Sequence, residues 1–421
     1  MSVLSRWRSD ALWALSDQVL VSACTFLTTL LVARLVSVEA FSVFGLSVTV
    51  TLFVSAMYRS YLTQPMSVLG VSDGGDALTQ RFRAVVVLHL LLWPLVCVGV
   101  AALGWRYFPD QGLTLAVLGY LLAYLLQEAV RRLCFTTSSI RLAWLMDMVA
   151  YGGYLGSLLA MVWWDVTMSV QGILWVGAAW FLISCAIGWQ ASGDTGSSHQ
   201  WPTWSAVRAI AREHWDHSKW VCGSQVFLFG SFMLVPFQIA EFGSVLWVAH
   251  YNAANSILNV LNILRQTMGN YLPIVATRIY HERGFEAFRQ ALNRLSVAVL
   301  LASACMVLIL VVFGEFLVSI LYGARYMPVA EILPMAAIGP LVAMLSFVTQ
   351  AGGLALGRTE QIFHAYLAGT ICSVVLAPLL IPRFGLSGAI WVANVGYIVP
   401  TAWHWVMFRR DCREVASLKG A

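Results

Sequence analysis

Long apolar runs separated by short polar or basic connectors make up most of this chain. A helix needs about 20 predominantly apolar residues to cross about 30 Å of hydrocarbon. Twelve runs reach that length, at residues 11–34, 38–58, 82–104, 111–130, 143–164, 168–189, 218–240, 243–270, 293–321, 327–350, 360–382 and 385–408. The pattern predicts an all-α polytopic membrane protein with twelve transmembrane helices.

The pattern is interrupted once at length, by Ser192-Gly193-Asp194-Thr195-Gly196-Ser197-Ser198, whose composition is that of a flexible linker. Beyond it Trp204, Val207, Ile210 and Ala211 recur at helical spacing, with Arg208 and Arg212 on another face. That arrangement suits a helix lying on the inner membrane surface. The expected organisation is an N-terminal six-helix bundle (1–190), a cytoplasmic linker with its amphipathic helix (191–217), a C-terminal six-helix bundle (218–410) and a cytoplasmic tail (411–421).

Equal halves suggest a repeat. An ungapped offset of 207 residues pairs Trp13 with Trp220, Gln18 with Gln225, Val19 with Val226, Leu27 with Leu234, Ala33 with Ala240, Ser37 with Ser244 and Val38 with Val245. Six spans per half return the chain to its starting side. The halves therefore form a parallel repeat, with a pseudo-two-fold along the membrane normal.

Composition agrees with a membrane protein: 60% of residues are hydrophobic, 11% are charged, and mean hydropathy is +0.77. Arg6 and Arg8 precede a first span too long for a signal-peptide core, so that span is expected to be retained. The net charge of +5 does not point to nucleic acid, because the basic residues fall between spans and set orientation. With both termini cytoplasmic, 21 Lys and Arg residues fall inside and four outside (Arg34, Arg106, Arg325 and Arg383). This is the positive-inside bias; the expected location is an inner, cytoplasmic membrane.

The eight cysteines are scattered and lack metal-ligand spacing. No nucleophile elbow, HExxH, P-loop or kinase pattern is present. Neither a cofactor nor enzymatic chemistry is expected.

Candidate chemistry lies in the polar residues set into the spans, where a charge costs about 3 kcal/mol or more unless it meets a partner or water. Asp17 stands six residues into the first span, about 9 Å along the helix. It is either a proton or cation site or a carboxylate paired with an arginine at the inner rim. Glu128 and Asp147 lie near Arg131, Arg132 and Arg141, a setting for local charge pairing. Arg59, at the inner end of the second span, and Arg265, in the eighth, are candidate substrate-binding residues. A guanidinium can grip phosphate oxygens through two donors at once. The competing reading for both is snorkelling to lipid headgroups.

Several stretches resemble the polysaccharide flippase (Wzx-like) branch of the MOP exporter superfamily, which also contains the MATE antiporters. They are Ala33-Arg34-Leu35-Val36-Ser37-Val38-Glu39-Ala40-Phe41, the run Gly314-Glu315-Phe316-Leu317 through Leu321-Tyr322-Gly323 to Tyr326, Leu356-Gly357-Arg358, and Phe384-Gly385-Leu386-Ser387-Gly388-Ala389. Pro273 stands where that branch usually has a proline in its eighth helix. One departure is Ser42 after Phe41, where the branch commonly shows Phe-Gly; here Phe44-Gly45 follows three residues on.

The resemblance implies a MATE-like fold and a flippase. Its substrate would be an undecaprenyl-pyrophosphate-linked oligosaccharide, moved from the cytoplasmic to the outer leaflet by alternating access driven by an ion gradient. Arg59 and Arg265 would then receive the pyrophosphate, and Asp17 would couple the ion. Expected partners are the lipid-linked oligosaccharide, membrane lipids, and polysaccharide polymerase and chain-length proteins, with the chain itself a monomer. Alternatives are a MATE-type multidrug or cation antiporter and a non-transporting scaffold of a polysaccharide assembly complex.

Overall fold

The computed structural model describes residues 3–70, 75–137, 139–166, 169–192, 201–355 and 360–420. Every regular element among them is helical, as hydrocarbon requires of a chain that cannot leave its backbone polar groups unpaired. The helices gather into two compact units, Met1–Gln225 and Val226–Ala421.

In the first unit α1 (Val3–Leu35) is followed almost at once by α2 (Val38–Tyr58). The connector can be this short because Ser37 caps α2, its Oγ accepting from the Ala40 amide at 3.2 Å and satisfying a donor otherwise orphaned at the helix start. A π-helical turn at Arg59–Thr63 and α3 (Gln64–Gly70) complete the second span. α4 (Gly75–Tyr107) and α5 (Gln111–Thr136) are the third and fourth.

The fifth span is α6 (Ile140–Asp147), a second π-helical turn at Met148–Gly152, and α7 (Gly153–Trp163); α8 (Val170–Ser192) is the sixth. Between these helices Phe181 is ringed edge-on by Tyr120, Tyr124 and Tyr151, at centroid distances of 5.5, 5.3 and 5.2 Å. At the far end of α5, the Asp110 carboxylate accepts from the Leu113 amide (2.8 Å) and from Gln171 Nε2 (2.6 Å), tying the start of α5 to α8.

α9 (Trp204–Leu228) enters the seventh span. Its first half docks on the first unit: Arg81 Nη1 donates to Glu213 Oε2 at 2.8 Å, Tyr61 Oη donates to the Ala211 carbonyl at 3.4 Å, and the rings of Tyr61 and Trp215 lie 6.1 Å apart. A third π-helical turn, Phe229–Met233, and α10 (Val235–Phe242) follow, with a bend of 47°.

α11 (Val245–Leu258) and the first part of α12 (Val260–Tyr322) make the eighth span, and the rest of α12, beyond Gly284, makes the ninth. α13 (Pro328–Ala355) is the tenth, and α14 (Glu360–Gly420), broken at Gly385, supplies the eleventh and twelfth. Both breaks occur at glycines with positive φ (79° and 60°), a conformation that costs a side chain-bearing residue strain. Grouped in this way, the helices of the described residues are consistent with the twelve passes expected from hydropathy.

The repeat is visible in the helix boundaries. α1 ends at Leu35 and α10 at Phe242; α2 begins at Val38 and α11 at Val245. Ser37 and Ser244 both cap the helix that follows them, Ser244 Oγ accepting from the Leu246 amide at 3.3 Å. These pairs share the offset of 207 residues read from the sequence.

Three features differ from the sequence-based organisation. The amphipathic segment and the seventh span are one continuous helix, and the first unit extends to Gln225 rather than ending at residue 190. No proline lies between Trp204 and Leu228, so nothing stops the helix where its hydropathy changes. The tail from 411 is likewise not separate: α14 continues as helix to Gly420. Residues 193–200 of the expected linker lie outside the described residues.

Candidate functional site

The fourth span carries Gln127, Glu128, Arg131 and Arg132 in an otherwise apolar helix. Spacings of three and four residues put Glu128 on the same face as both arginines, with the acid on the N-terminal side, the favourable order. Glu128 Oε1 accepts from Arg132 Nε at 2.8 Å, and Oε2 accepts from Arg131 Nη1 at 3.3 Å.

Three other helices add to this nucleus. Asp17 of α1 meets Arg131 Nη2 at 2.6 Å, and Asp147, the last residue of α6, meets Arg131 Nε at 2.5 Å. Arg131 thus offers a different nitrogen to each of three carboxylates, with its guanidinium 4.9 Å from the Phe135 ring centroid. Gln127 Nε2 donates to the second Asp147 oxygen at 2.8 Å. Arg59, the residue that follows α2, reaches Glu128 Oε1 at 3.5 Å.

The carboxylates are sealed and the outer arginines are not. Side-chain exposure is 3% for Asp17, 0% for Asp147 and 5% for Glu128, against 16% for Arg131, 29% for Arg132 and 45% for Arg59. Taking an ion out of water costs several kcal/mol, which only close, well-bonded opposite charges offset. The cluster meets that condition by matching three guanidinium groups with three carboxylates. Asp17 Oδ1 is the exception, a buried oxygen with no hydrogen-bond partner.

Two of the three π-helical turns adjoin this cluster: one begins at Arg59, the other follows Asp147 directly. Such bulged turns are frequent at functional sites. Here each lies where its helix contributes a charged side chain.

The structure brings Asp17 and Arg59, two of the three candidates from the sequence, into one network. The pairing of Asp17 with an arginine is met by Arg131, 114 positions along the chain, and Glu128 and Asp147 pair locally as expected. Arg141 does not join them; its guanidinium lies 5.6 Å from the centroid of the Trp13 ring. The Arg265 side chain lies outside the described residues. Sequence reasoning missed the role of Gln127 and the position of Arg131 as hub, although the four polar residues at helical spacing within an apolar span were a usable signal.

The second unit has a smaller polar knot. Ser346 Oγ and His404 Nδ1 are 2.8 Å apart, and Gln350 Nε2 donates to Ser346 Oγ at 2.9 Å. A cavity of about 20 Å³ lies beside it, lined in part by Ser346, Tyr366, Tyr397 and Thr401. Among the described residues, no group of three His, Cys, Asp or Glu side chains is placed to hold a metal ion.

No family model matches the chain, and no curated protein matches it in sequence. Solved structures do match. An inward-facing multidrug resistance MATE family transporter of the MOP superfamily superposes with a TM-score of 0.75 at 13% identity, over 94% of this chain and 96% of the other. An outward-facing structure of such a transporter gives 0.67 at 12% identity, over 96% and 94%. A MOP superfamily transporter from Pyrococcus furiosus, described as having a binding pocket of reverse polarity, gives 0.65 at 12% identity, over 96% and 94%. The chain has the fold of the MATE transporters of the MOP superfamily.

Proposed function

We propose that this protein is a flippase that carries a lipid-linked oligosaccharide, joined to its polyprenyl carrier through pyrophosphate, from the cytoplasmic to the outer leaflet by alternating access. A glycan headgroup cannot cross hydrocarbon unaided, because each desolvated hydroxyl costs energy. A transporter of this fold removes that cost by enclosing the headgroup while the lipid tail stays in the bilayer.

The observation that carries this reading is the state of the charges in the first unit. Asp17, Glu128 and Asp147 are each held by arginine, whereas Arg59 is half exposed and only loosely tied to Glu128. The accessible charge of the site is cationic, which suits a pyrophosphate better than a cationic drug. Arg265 is assigned the same role in the second unit, and the motifs at Ala33–Phe41 and Phe384–Ala389 agree with a polysaccharide flippase. Polymerase and chain-length proteins would take up the product at the outer face.

The test is reconstitution. In proteoliposomes the protein should move a fluorescent polyprenyl-pyrophosphate oligosaccharide between leaflets, and Arg59→Ala and Arg265→Ala should each slow that movement at least tenfold. Exchange of a cationic dye for protons with no lipid movement would overturn the reading. It would favour the antiporter, which Asp17 Oδ1, a buried acceptor without a partner, makes the second reading.

A further inference from the structure

Three guanidinium groups converge on one carboxylate. Glu128 Oε1 is 2.8 Å from Arg132 Nε and 3.5 Å from Arg59 Nε, and Oε2 is 3.3 Å from Arg131 Nη1. Planar, multidentate guanidinium donors around two oxygens are how proteins bind phosphate. The three arginines are not equivalent. Arg131 is committed at closer range to Asp17 (2.6 Å) and Asp147 (2.5 Å) and is nearly buried. Among the described residues Arg59 and Arg132 have no other ion pair of that kind, and both are partly exposed.

We infer that Arg59 and Arg132 form an oxyanion-binding site whose internal occupant is the Glu128 carboxylate, which a phosphate or pyrophosphate group displaces on binding. The inference rests on the proposed flippase function only for the source of that anion; the site itself follows from the geometry. Glu128 holds both guanidinium groups while the site is empty, so neither charge is left unpaired near the hydrocarbon. The incoming anion brings more charge and more acceptor oxygens than the carboxylate it replaces. Glu128 then remains bonded to Arg131. Its competition also sets a threshold: weak or singly charged anions do not displace it. The longest of the three contacts, to Arg59 at the start of the first π-helical turn, is the one that opens first.

The inference makes a prediction of unusual sign: neutralising an acidic residue at the site should strengthen anion binding, by more than a remote change of charge would. The measurement is calorimetric titration of the purified full chain in nanodiscs of zwitterionic lipid with inorganic pyrophosphate. Glu128→Gln should bind at least threefold tighter than the parent, and Arg59→Gln and Arg132→Gln should each lose at least tenfold. A remote control, Glu286→Gln, should leave affinity unchanged. Glu128→Asp, which keeps the charge but withdraws it from Arg59, covers the case in which Glu128→Gln does not fold, and should also tighten binding.

Equal or weaker binding by the Glu128 variants that fold, or unchanged binding by Arg132→Gln, overturns the inference. A second arm compares nanodiscs containing polyprenyl pyrophosphate with nanodiscs containing phosphatidylglycerol. Competition by the former alone identifies the carrier lipid as the source of the anion, and competition by both identifies lipid headgroups generally. If the variant ranking holds but no oligosaccharide moves in proteoliposomes, the function is wrong and the site stands. Movement without tightening in the Glu128 variants gives the reverse.

Discussion

Arg131 and Asp17 join the fourth span to the first through a contact of 2.6 Å, and the same guanidinium holds Asp147 of the fifth span at 2.5 Å. One side chain therefore fixes three helices at one level of the first unit. Arg131→Ala would leave three carboxylates buried around a void, and stripping a partner from a buried ion costs about 3–5 kcal/mol. The expected outcome is a large fall in melting temperature in detergent, or failure to recover folded protein. Arg131→Lys, with one point charge for three partners, should recover only part of the loss. Thermal unfolding followed by size-exclusion fluorescence checks this.

Asp17→Asn has a different expected effect. The amide keeps the shape and one acceptor toward Arg131, so stability should fall by only about 1–2 kcal/mol. If Asp17 couples transport to an ion gradient, the variant should still move substrate down its own gradient but lose its response to an imposed pH difference. Transport in proteoliposomes with the pH response of the parent would remove Asp17 from that role.

Close helix packing in the second unit gives a prediction of the opposite kind. A Cβ at Gly396 would stand 1.8 Å from the Ser231 carbonyl oxygen, whereas one at Gly99 would meet nothing within 4 Å. Gly396→Ala should force the two backbones apart at a cost of about 1–3 kcal/mol or more. Gly99→Ala should be neutral or stabilise by up to about 1 kcal/mol through helix propensity. A side-by-side melting comparison of the two variants decides it.

The docking of α9 should be visible without any transport assay. Arg81 is nearly buried but Glu213 is half exposed, with side-chain exposures of 10% and 48%. Glu213→Gln should therefore cost less than about 1 kcal/mol overall. Its effect should be local: faster amide exchange across Trp204–Lys219, with exchange in α5 unchanged. Uniform exchange rates before and after the substitution would show that the ion pair does not hold the helix.

Ser346 tests the polar knot of the second unit. Ser346→Ala removes the shortest contact of both His404 Nδ1 and Gln350 Nε2, leaving the 3.4 Å contacts of Gln350 Nε2 to His404 Nδ1 and Tyr366 Oη, and poorly satisfied buried polar groups cost about 1–3 kcal/mol. Adding His404→Leu should return part of that loss, because one of the orphaned groups is then gone. A double-mutant cycle on melting free energies measures the coupling.

Hydropathy and charge made the spans, the two halves and the repeat legible, because each is written in local composition. Ser37 and Ser244 could be read as equivalent before either was known to cap a helix. The candidate site was half legible. Glu128, Arg131 and Arg132 sit within about one turn of each other, so their pairing follows from helical spacing, but Arg59 and Asp17 are brought to them by tertiary packing that no local pattern records. Arg141 shows the limit of reasoning by nearness: it lies as close in sequence to Asp147 as any arginine on that helix, yet faces Trp13. The π-helical turns left no trace in the sequence, since inserting one residue into a helical turn needs no special side chain. The continuity of α9 was hidden by a change of polarity that alters what the helix touches but not whether it forms.

The matching of three guanidinium groups with three carboxylates also has an electrical meaning. A neutral assembly feels no net force from the membrane potential, so in its fully ionised form the cluster can shift along the bilayer normal without electrical work. One added proton changes that, because a unit charge carried across 100 mV gains or loses about 2.3 kcal/mol. A bound pyrophosphate, adding negative charge, would feel the field in the opposite sense. Voltage would then act on the cluster when it is protonated or has bound an anion, and not on its fully ionised form.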